Sequence, residues 1–576
     1  MTMEDAREER RETDDLSLAA VQEPDAADDV ALSSADADTD APGLSEGDDD
    51  TELSVGRSTA LMSVLVVVSR ITGFMRTWAQ AFGMGATVLA SCYELASNMP
   101  TQIYELVTAG MLVTAFLPAY VSVKKRLGRQ GANDYVSNLV SIVLIITGAV
   151  TLISFIFAGQ IIWTQSFSAA EDFDSARATW FFRFFVIEIV LYALSTIFSG
   201  VVNAERDYLW SSIAPIFNNV VVMASFIAYG ALAETNPSLG LIILAIGNPL
   251  GVVVQVLLQV PSMWRHGIRL RWHIDLHDPA LKDTVKIGVP SIVVMVLGFV
   301  TNAFQMNALL SYTAIGASIG SYAMLWFNLP YAIFCVPIMT VLFTELSDYF
   351  AADDMESFRS MVSSGIGKIL FMLVPFSFFL AVFSDCLVAI ISAGRFSESA
   401  ADLCAYYLIW RAPSLAVYGV GMYLQKVCSA TRKMEVYAVA SVICGIIQIA
   451  LLQFVAPYTG LWMVPFTSCI FFVVFDVYIL LVLQRSFGRM GLRAIIVSLA
   501  RSLAFGVLGC AVAWGILQLM TRVMGGYDGS VMGAILRCVV AGLPAVLVTY
   551  GTAVLLKVPE ASTVNIVLDR LLHRAR

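Results

Sequence analysis

Two arginines stand inside the first long apolar run of this 576-residue chain. They belong to Ser69-Arg70-Ile71-Thr72-Gly73-Phe74-Met75-Arg76, within a stretch from about Ser58 to Phe82 that otherwise reads as a membrane-crossing helix. A charged side chain at the bilayer centre costs about 2.5–3.5 kcal/mol on insertion scales. Such a residue persists where it faces a bundle interior, a wet cavity or a charged partner. At 100° per residue, Arg70, Gly73 and Arg76 share an arc of about 120° on one side of the helix. Gly73 between them leaves room for a backbone or a ligand to approach. The chemistry on offer is anion binding by guanidinium groups in a membrane cavity. The competing reading is a salt bridge internal to the bundle.

The second apolar run supplies partners for either reading. Glu94, Asn98, Thr101, Glu105 and Thr108 recur at steps of four, three, four and three, a polar stripe on one helical face. Its carboxylates can neutralise Arg70 and Arg76 while no ligand is bound. A displaceable ion pair of this kind couples binding to a change of conformation. Five polar residues exceed what two arginines need, which favours a functional cavity over a static pair. Further charges lie in later apolar runs, at Glu188, Glu345, Arg411, Lys426, Asp476, Arg501 and Arg537. Asp476 and Arg501 are candidates to pair with each other. Glu188 and Arg411 sit deep and have no partner legible in the sequence.

Other chemistries are poorly supported. There is no phosphate-binding glycine loop with lysine, no nucleophile elbow and no nucleophile–base pair, so an enzyme is not expected. His273 and His277 stand four apart in a basic loop with no third ligand nearby, and no metal site or cofactor is expected. The nine cysteines are scattered through apolar runs without a C-x-x-C pair and read as small buried hydrophobes. No secretory signal peptide is expected, because the first apolar run starts near residue 58 and is too long.

The elements that must position these residues follow from composition. The chain is 58% hydrophobic and 14% charged, with mean hydropathy +0.75. That predicts an all-α polytopic membrane protein. The formal charge of −10 is a property of one end. Residues 1–57 carry 19 acidic against 4 basic residues and read as a disordered acidic tail. Fourteen apolar runs follow, at about 58–82, 88–122, 133–161, 178–203, 210–232, 239–261, 284–310, 318–347, 362–390, 403–428, 435–456, 461–484, 494–521 and 531–556. The odd-numbered breaks between them hold three basic residues, Arg177, Arg395 and Arg522, and the even-numbered breaks hold the other loop Lys and Arg. By the positive-inside rule, the even breaks and both termini are expected to be cytoplasmic. The break at 262–283, with Trp264, Arg265 and Trp272, suits an interfacial helix or strap. It divides helices 1–6 (58–261) from helices 7–12 (284–484), and residues 485–576 hold two more helices and a basic tail. The halves echo each other. Asn98-Met99-Pro100 lies in the second helix of one and Asn328-Leu329-Pro330 in the second helix of the other, as repeated transporter halves with proline-broken helices do.

The pattern Ser69-Arg70-x-x-Gly73-Phe74-x-Arg76 resembles the start of the MurJ/MviN family. Its members are integral membrane proteins known as lipid II flippases, within the multidrug/oligosaccharidyl-lipid/polysaccharide exporter superfamily. The resemblance continues through Pro100, Ala109-Gly110, Ala115-Phe116-x-Pro118, Pro290, Ser318, Pro330, Gly394-Arg395-Phe396 and Lys426-Val427, and it covers nearly all of 58–556. It implies two six-helix lobes plus two extra C-terminal helices, and alternating-access translocation of lipid II across the bacterial cytoplasmic membrane. The implied anion for Arg70 and Arg76 is the substrate pyrophosphate. Ser69, Gly73, Glu94, Asn98, Thr101, Glu105, Ser318 and Asn328 complete the expected substrate-binding set. Expected partners are lipid II, membrane lipids and cell-wall synthesis proteins, with no nucleic acid. The chain departs from the family where members commonly carry an acid (here Ser91), arginines (here Tyr104 and Leu325) and a glutamate (here Ala109). Those departures keep two alternatives open. One is a flippase for another lipid-linked polysaccharide, or an amphipathic-drug exporter. The other is a transport-inactive scaffold for wall-synthesis proteins.

Overall fold

The computed structural model describes residues 49–109, 116–275, 277, 279–392, 395–525 and 529–561. The acidic tail up to residue 48 and the basic residues after 561 lie outside the described residues. Among the described residues every regular element is a helix or helical turn, with no strand.

The first helix, α1 (Asp49–Met84), begins inside the stretch expected to be disordered. It ends at Gly85 (φ +64°), whose position would bring a Cβ within 2.3 Å of the Arg395 carbonyl oxygen, so only glycine fits. Then follow α2 (Val88–Tyr104) and a π-helical turn (Glu105–Ala109). Next comes α3 (Phe116–Ile156), broken at Gly128 (φ 69°, ψ −164°) within the basic Lys124–Arg129 break. Five helices complete the first half of the chain: α4 (Ala158–Thr164), α5 (Ser175–Phe185), α6 (Glu188–Ala204), α7 (Tyr208–Leu232) and α8 (Pro237–Arg265).

The second half opens with α9 (Pro279–Tyr312), α10 (Gly316–Pro330), a second π-helical turn (Tyr331–Cys335) and α11 (Val336–Ala351). It continues with α12 (Met355–Val382), α13 (Ser384–Ile391), α14 (Glu398–Arg411) and α15 (Ser414–Ala430). The last elements are α16 (Met434–Phe454), α17 (Ala456–Thr459), α18 (Met463–Phe487), α19 (Leu492–Met524), α20 (Val531–Leu555) and a closing 3-10 turn (Pro559–Ala561).

Among the described residues, each of the fourteen apolar runs coincides with a helix or with consecutive helical pieces. Eleven stretches of the described residues are long and apolar enough to cross a membrane by themselves. Two of the other runs are interrupted. The second breaks at its π turn, leaving α2 only 17 residues. The tenth breaks at Ala412-Pro413, leaving pieces of 14 and 17. Proline explains the latter, because it removes a backbone donor and crowds the preceding turn.

The chain forms two compact units. Unit 1 comprises residues up to Arg76, Ala96–Ala158 and Thr179–Val296; unit 2 comprises Thr77–Leu95, Gly159–Ala178 and residues from Leu297 onward. In unit 1, α7 and α8 pack along each other and α6 packs on α3 and α8. In unit 2, α12 is the inner helix. Its most apolar window is 67% buried, against 22% for α19 and 17% for α20. The outer pair exposes Val523, Leu547 and Leu555. Such surface is stable against acyl chains, where apolar side chains face lipid and every backbone group is satisfied within its helix.

Between α8 and α9, residues 268–275 of the expected strap have no regular secondary structure. The stretch 267–275 lies along α3 and is tied to it by the side chains at 133, 137, 138 and 141. Asn133 donates to the Gly267 carbonyl (3.1 Å), while the Ser137 and Ser141 hydroxyls accept from the Arg271 and His273 amides (3.2 and 3.1 Å). The Asn138 amide both donates to and accepts from the Asp275 backbone (2.8 and 2.7 Å), as a neighbouring strand would.

Candidate functional site

In unit 1 the arginine motif occupies the C-terminal half of α1. Arg70 is exposed; Ser69, Gly73 and Arg76 are half-buried. The room beside Gly73 is taken by the Asn219 amide of α7, which donates to Thr72 (3.3 Å). Thr72 in turn caps back onto the Ser69 carbonyl (2.9 Å).

Arg76 has a carboxylate within electrostatic range that sequence reasoning left unpaired, Glu188 at the start of α6. Glu188 is fully buried. One of its oxygens accepts from both Tyr192 and Asn248 (3.3 Å each), and the other has no hydrogen-bond partner. The Tyr192 hydroxyl also meets Thr101 of α2, and the Arg76 charge reaches it too. Arg76, Thr101, Glu188, Tyr192 and Asn248 thus form one polar group drawn from α1, α2, α6 and α8.

The stripe expected on the second helix is only partly continuous. Asn98 is exposed, Thr101 half-buried, and the π turn begins at Glu105. A π turn holds about one residue more than an α turn, so the regular spacing ends at Glu105 and Thr108 leaves the arc of the stripe. Glu105 is half-buried, and Thr108 is buried and donates to the Tyr104 carbonyl (2.7 Å). Tyr104, standing where the resemblance leads one to expect arginine, shares a 2.6 Å hydrogen bond with Thr196.

In unit 2, Glu94 is buried and accepts from Gln80 (2.5 Å). Ser318 is fully buried, its amide and hydroxyl both engaged with Ser91 (3.1 and 3.2 Å). A serine at position 91 therefore ties α2 to α10. Asn328 is exposed, as is its echo Asn98, while Pro330 and Pro100 are both buried. Each echo is followed by a π turn, five residues after Pro100 and immediately after Pro330. Asp476 and Arg501 do not pair with each other. Arg501 faces Glu560 (3.5 Å), and one Asp476 oxygen is buried without a partner. Arg411 is buried against Phe327, its guanidinium 4.8 Å from the ring centre.

At the end of unit 1 formed by α3, α6 and the strap, Glu205 receives hydrogen bonds from Lys124 (2.5 Å) and Tyr120 (2.6 Å). Burial alone would push the Glu205 carboxyl up. Those two bonds, with the Lys124 and His266 charges, instead hold it below the usual carboxylate range. His266 also reaches Asp207 (3.3 Å), which accepts from Ser262 (2.6 Å).

Comparison with known proteins places this architecture. The family model described as lipid II flippase MurJ matches residues 79–527. A probable lipid II flippase MurJ of Borreliella burgdorferi is 24% identical over 74% of this chain and 83% of its own length. A lipid II flippase MurJ of Burkholderia cenocepacia is 22% identical over 64% and 71%. Among solved structures, a lipid II flippase MurJ in an inward closed conformation superposes with TM-score 0.69 at 17% identity, covering 86% of this chain and 99% of that one. An inward-facing multidrug-resistance transporter of the MATE family superposes with TM-score 0.60 at 13% identity, covering 75% and 95%. With more than half its length matched by the family model, on a polytopic helical fold of that kind, this chain belongs to the lipid II flippase MurJ family of multi-pass inner-membrane transporters.

Proposed function

We propose that this protein translocates lipid II, a polyprenyl-pyrophosphate-linked disaccharide-pentapeptide, across the cytoplasmic membrane by alternating access. Arg70 and Arg76 meet the pyrophosphate. The observation that carries this reading is the pair of guanidinium groups on one arc of a membrane helix, one exposed and one half-buried. A guanidinium offers phosphate oxygens a planar fork of donors that an ammonium lacks. Ser69, Gly73, Asn98, Thr101 and Glu105 support the anion in unit 1. Glu94, Ser318 and Asn328 are the substrate-binding candidates of unit 2. Within unit 1, Glu105 answers the arginines when no substrate is bound. Both termini face the cytoplasm, in keeping with the basic even-numbered breaks. Proteins that make and use the lipid-linked precursor are the proposed partners.

Translocation of lipid II in proteoliposomes tests the assignment. Arg70→Ala should abolish it at wild-type protein level and orientation, and Arg70→Lys should retain part of it. Normal transport by Arg70→Ala would overturn the role given to this residue.

A further inference from the structure

Arg411 is the last residue of α14, and 8% of its surface is exposed. Its Nε and one terminal nitrogen are buried with no hydrogen-bond partner. The guanidinium lies over Phe327 of α10. Tyr407, Tyr418 and Cys469 lie near enough to influence its charge, and among the described residues no carboxylate forms an ion pair with it. A cation–π contact offsets part of the cost of a desolvated cation, yet it leaves the N–H donors unmet. The run is also broken here, because Pro413 denies the helix a backbone donor two residues on. The surrounding shell is not sealed. Tyr418 and Cys469 are half-buried, and Asn328, beside Phe327, is exposed.

We propose that Arg411, backed by Phe327, is an anion-binding centre internal to unit 2 that takes a phosphate-type oxyanion. Unmet donors on a permanently charged group are what such a ligand satisfies, and the aromatic backing orients them without competing for them. The oxyanion has two sources, the pyrophosphate of a lipid-linked substrate or a free inorganic anion. The first source rests on the function proposed above; the second does not.

The experiment uses the full-length protein in detergent, with sodium pyrophosphate as probe and thermal unfolding as readout. Binding to the native state raises the midpoint with ligand concentration. The wild type should rise by several degrees. Arg411→Gln, compared in an Arg70→Gln/Arg76→Gln background so that the arginines assigned above to pyrophosphate do not contribute, should lose the rise which that background keeps, while its ligand-free midpoint stays level or increases, because it removes an unsatisfied buried charge. Arg411→Lys should keep a reduced rise. Lipid II binding separates the sources. About a tenfold loss of affinity in Arg411→Gln, with competition by pyrophosphate, assigns the centre to substrate. Unchanged lipid II affinity alongside the lost rise assigns it to an inorganic anion. The proposal is overturned if the wild type shows no rise, or if Arg411→Gln keeps it. It is equally overturned if Arg411→Gln merely lowers the ligand-free midpoint, which would make Arg411 a packing residue. Failure of the wild type to bind lipid II, with the pyrophosphate response intact, would instead count against the transport assignment.

Discussion

At the scale of single residues, Glu188 stands within electrostatic range of Arg76 in unit 1 and accepts from Tyr192 and Asn248. Removing a buried acceptor leaves its donors unmet, at a cost of about 1–3 kcal/mol. Glu188→Leu should therefore lower the unfolding midpoint strongly. Glu188→Gln, which keeps an acceptor for Tyr192 and Asn248, should cost less. The double variant Glu188→Gln/Arg76→Gln should recover part of the sum, with a coupling of about 1–3 kcal/mol. Additive single effects would mean the two charges act independently. The arginines themselves were legible in the sequence, because a charge in an apolar run stands out against its neighbours. Their surroundings were not. Glu188 and Asn248 come from α6 and α8, and only folding brings them to α1. Ser318, expected at the substrate, also bonds Ser91, a use that a serine in a membrane helix serves equally well.

At the scale of elements, hydropathy located all fourteen runs because a membrane demands about 20 apolar residues per crossing. It did not locate the breaks inside a run. An interruption at Ala412-Pro413 and two π turns leave the apolar pattern intact, since lipid-facing and core-facing positions are both apolar, whereas the kink at Gly128 falls in the basic break that the sequence marks. The strap was legible as a basic, tryptophan-bearing break; its docking on α3 was not, because Asn133, Ser137, Asn138 and Ser141 look like ordinary polar residues of a helix start. Asn138→Ala should remove both bonds to the Asp275 backbone and cost about 1–3 kcal/mol. Hydrogen exchange should rise over 267–275 and leave α7 unchanged. A uniform rise would argue against a local clasp. The Glu205 group adds a pH dependence to the same end. Because the folded carboxyl lies below its unfolded value, its contribution is full above the ordinary carboxylate range and is lost as pH falls through the folded value. Acidification should therefore loosen the junction of α3 with α6 in the wild type and have little further effect in Glu205→Gln, as measured by exchange at residues 120–130.

At the scale of the molecule, orientation is the open quantity with the simplest test. Single cysteines at Gln130 and Asn236 lie in the second and fifth breaks, which the charge distribution assigns to opposite sides. An impermeant thiol reagent applied to intact cells should mark the second position only. Six of the nine native cysteines are buried, which keeps the background low. Labelling at position 130 would invert the topology and with it the side from which substrate enters.

The π turn at Tyr331–Cys335 holds one residue that an α-helix joining α10 to α11 would not need. It is in effect a stored insertion, and such a defect can migrate. Each residue it moves along the helix turns the stretch it passes by about 100° while the end-to-end hydrogen-bond count stays nearly constant. A membrane helix can thereby present a different face without unwinding into lipid, where unwinding is prohibitive. Deleting Ile333, which is 54% exposed and anchors nothing in the core, should heal the turn into regular α-helix. The shortened protein should still insert and remain monodisperse in detergent, yet lose lipid II turnover while keeping lipid II binding. If turnover survives the deletion, the extra residue is an inert scar and the helix works as a rigid rod.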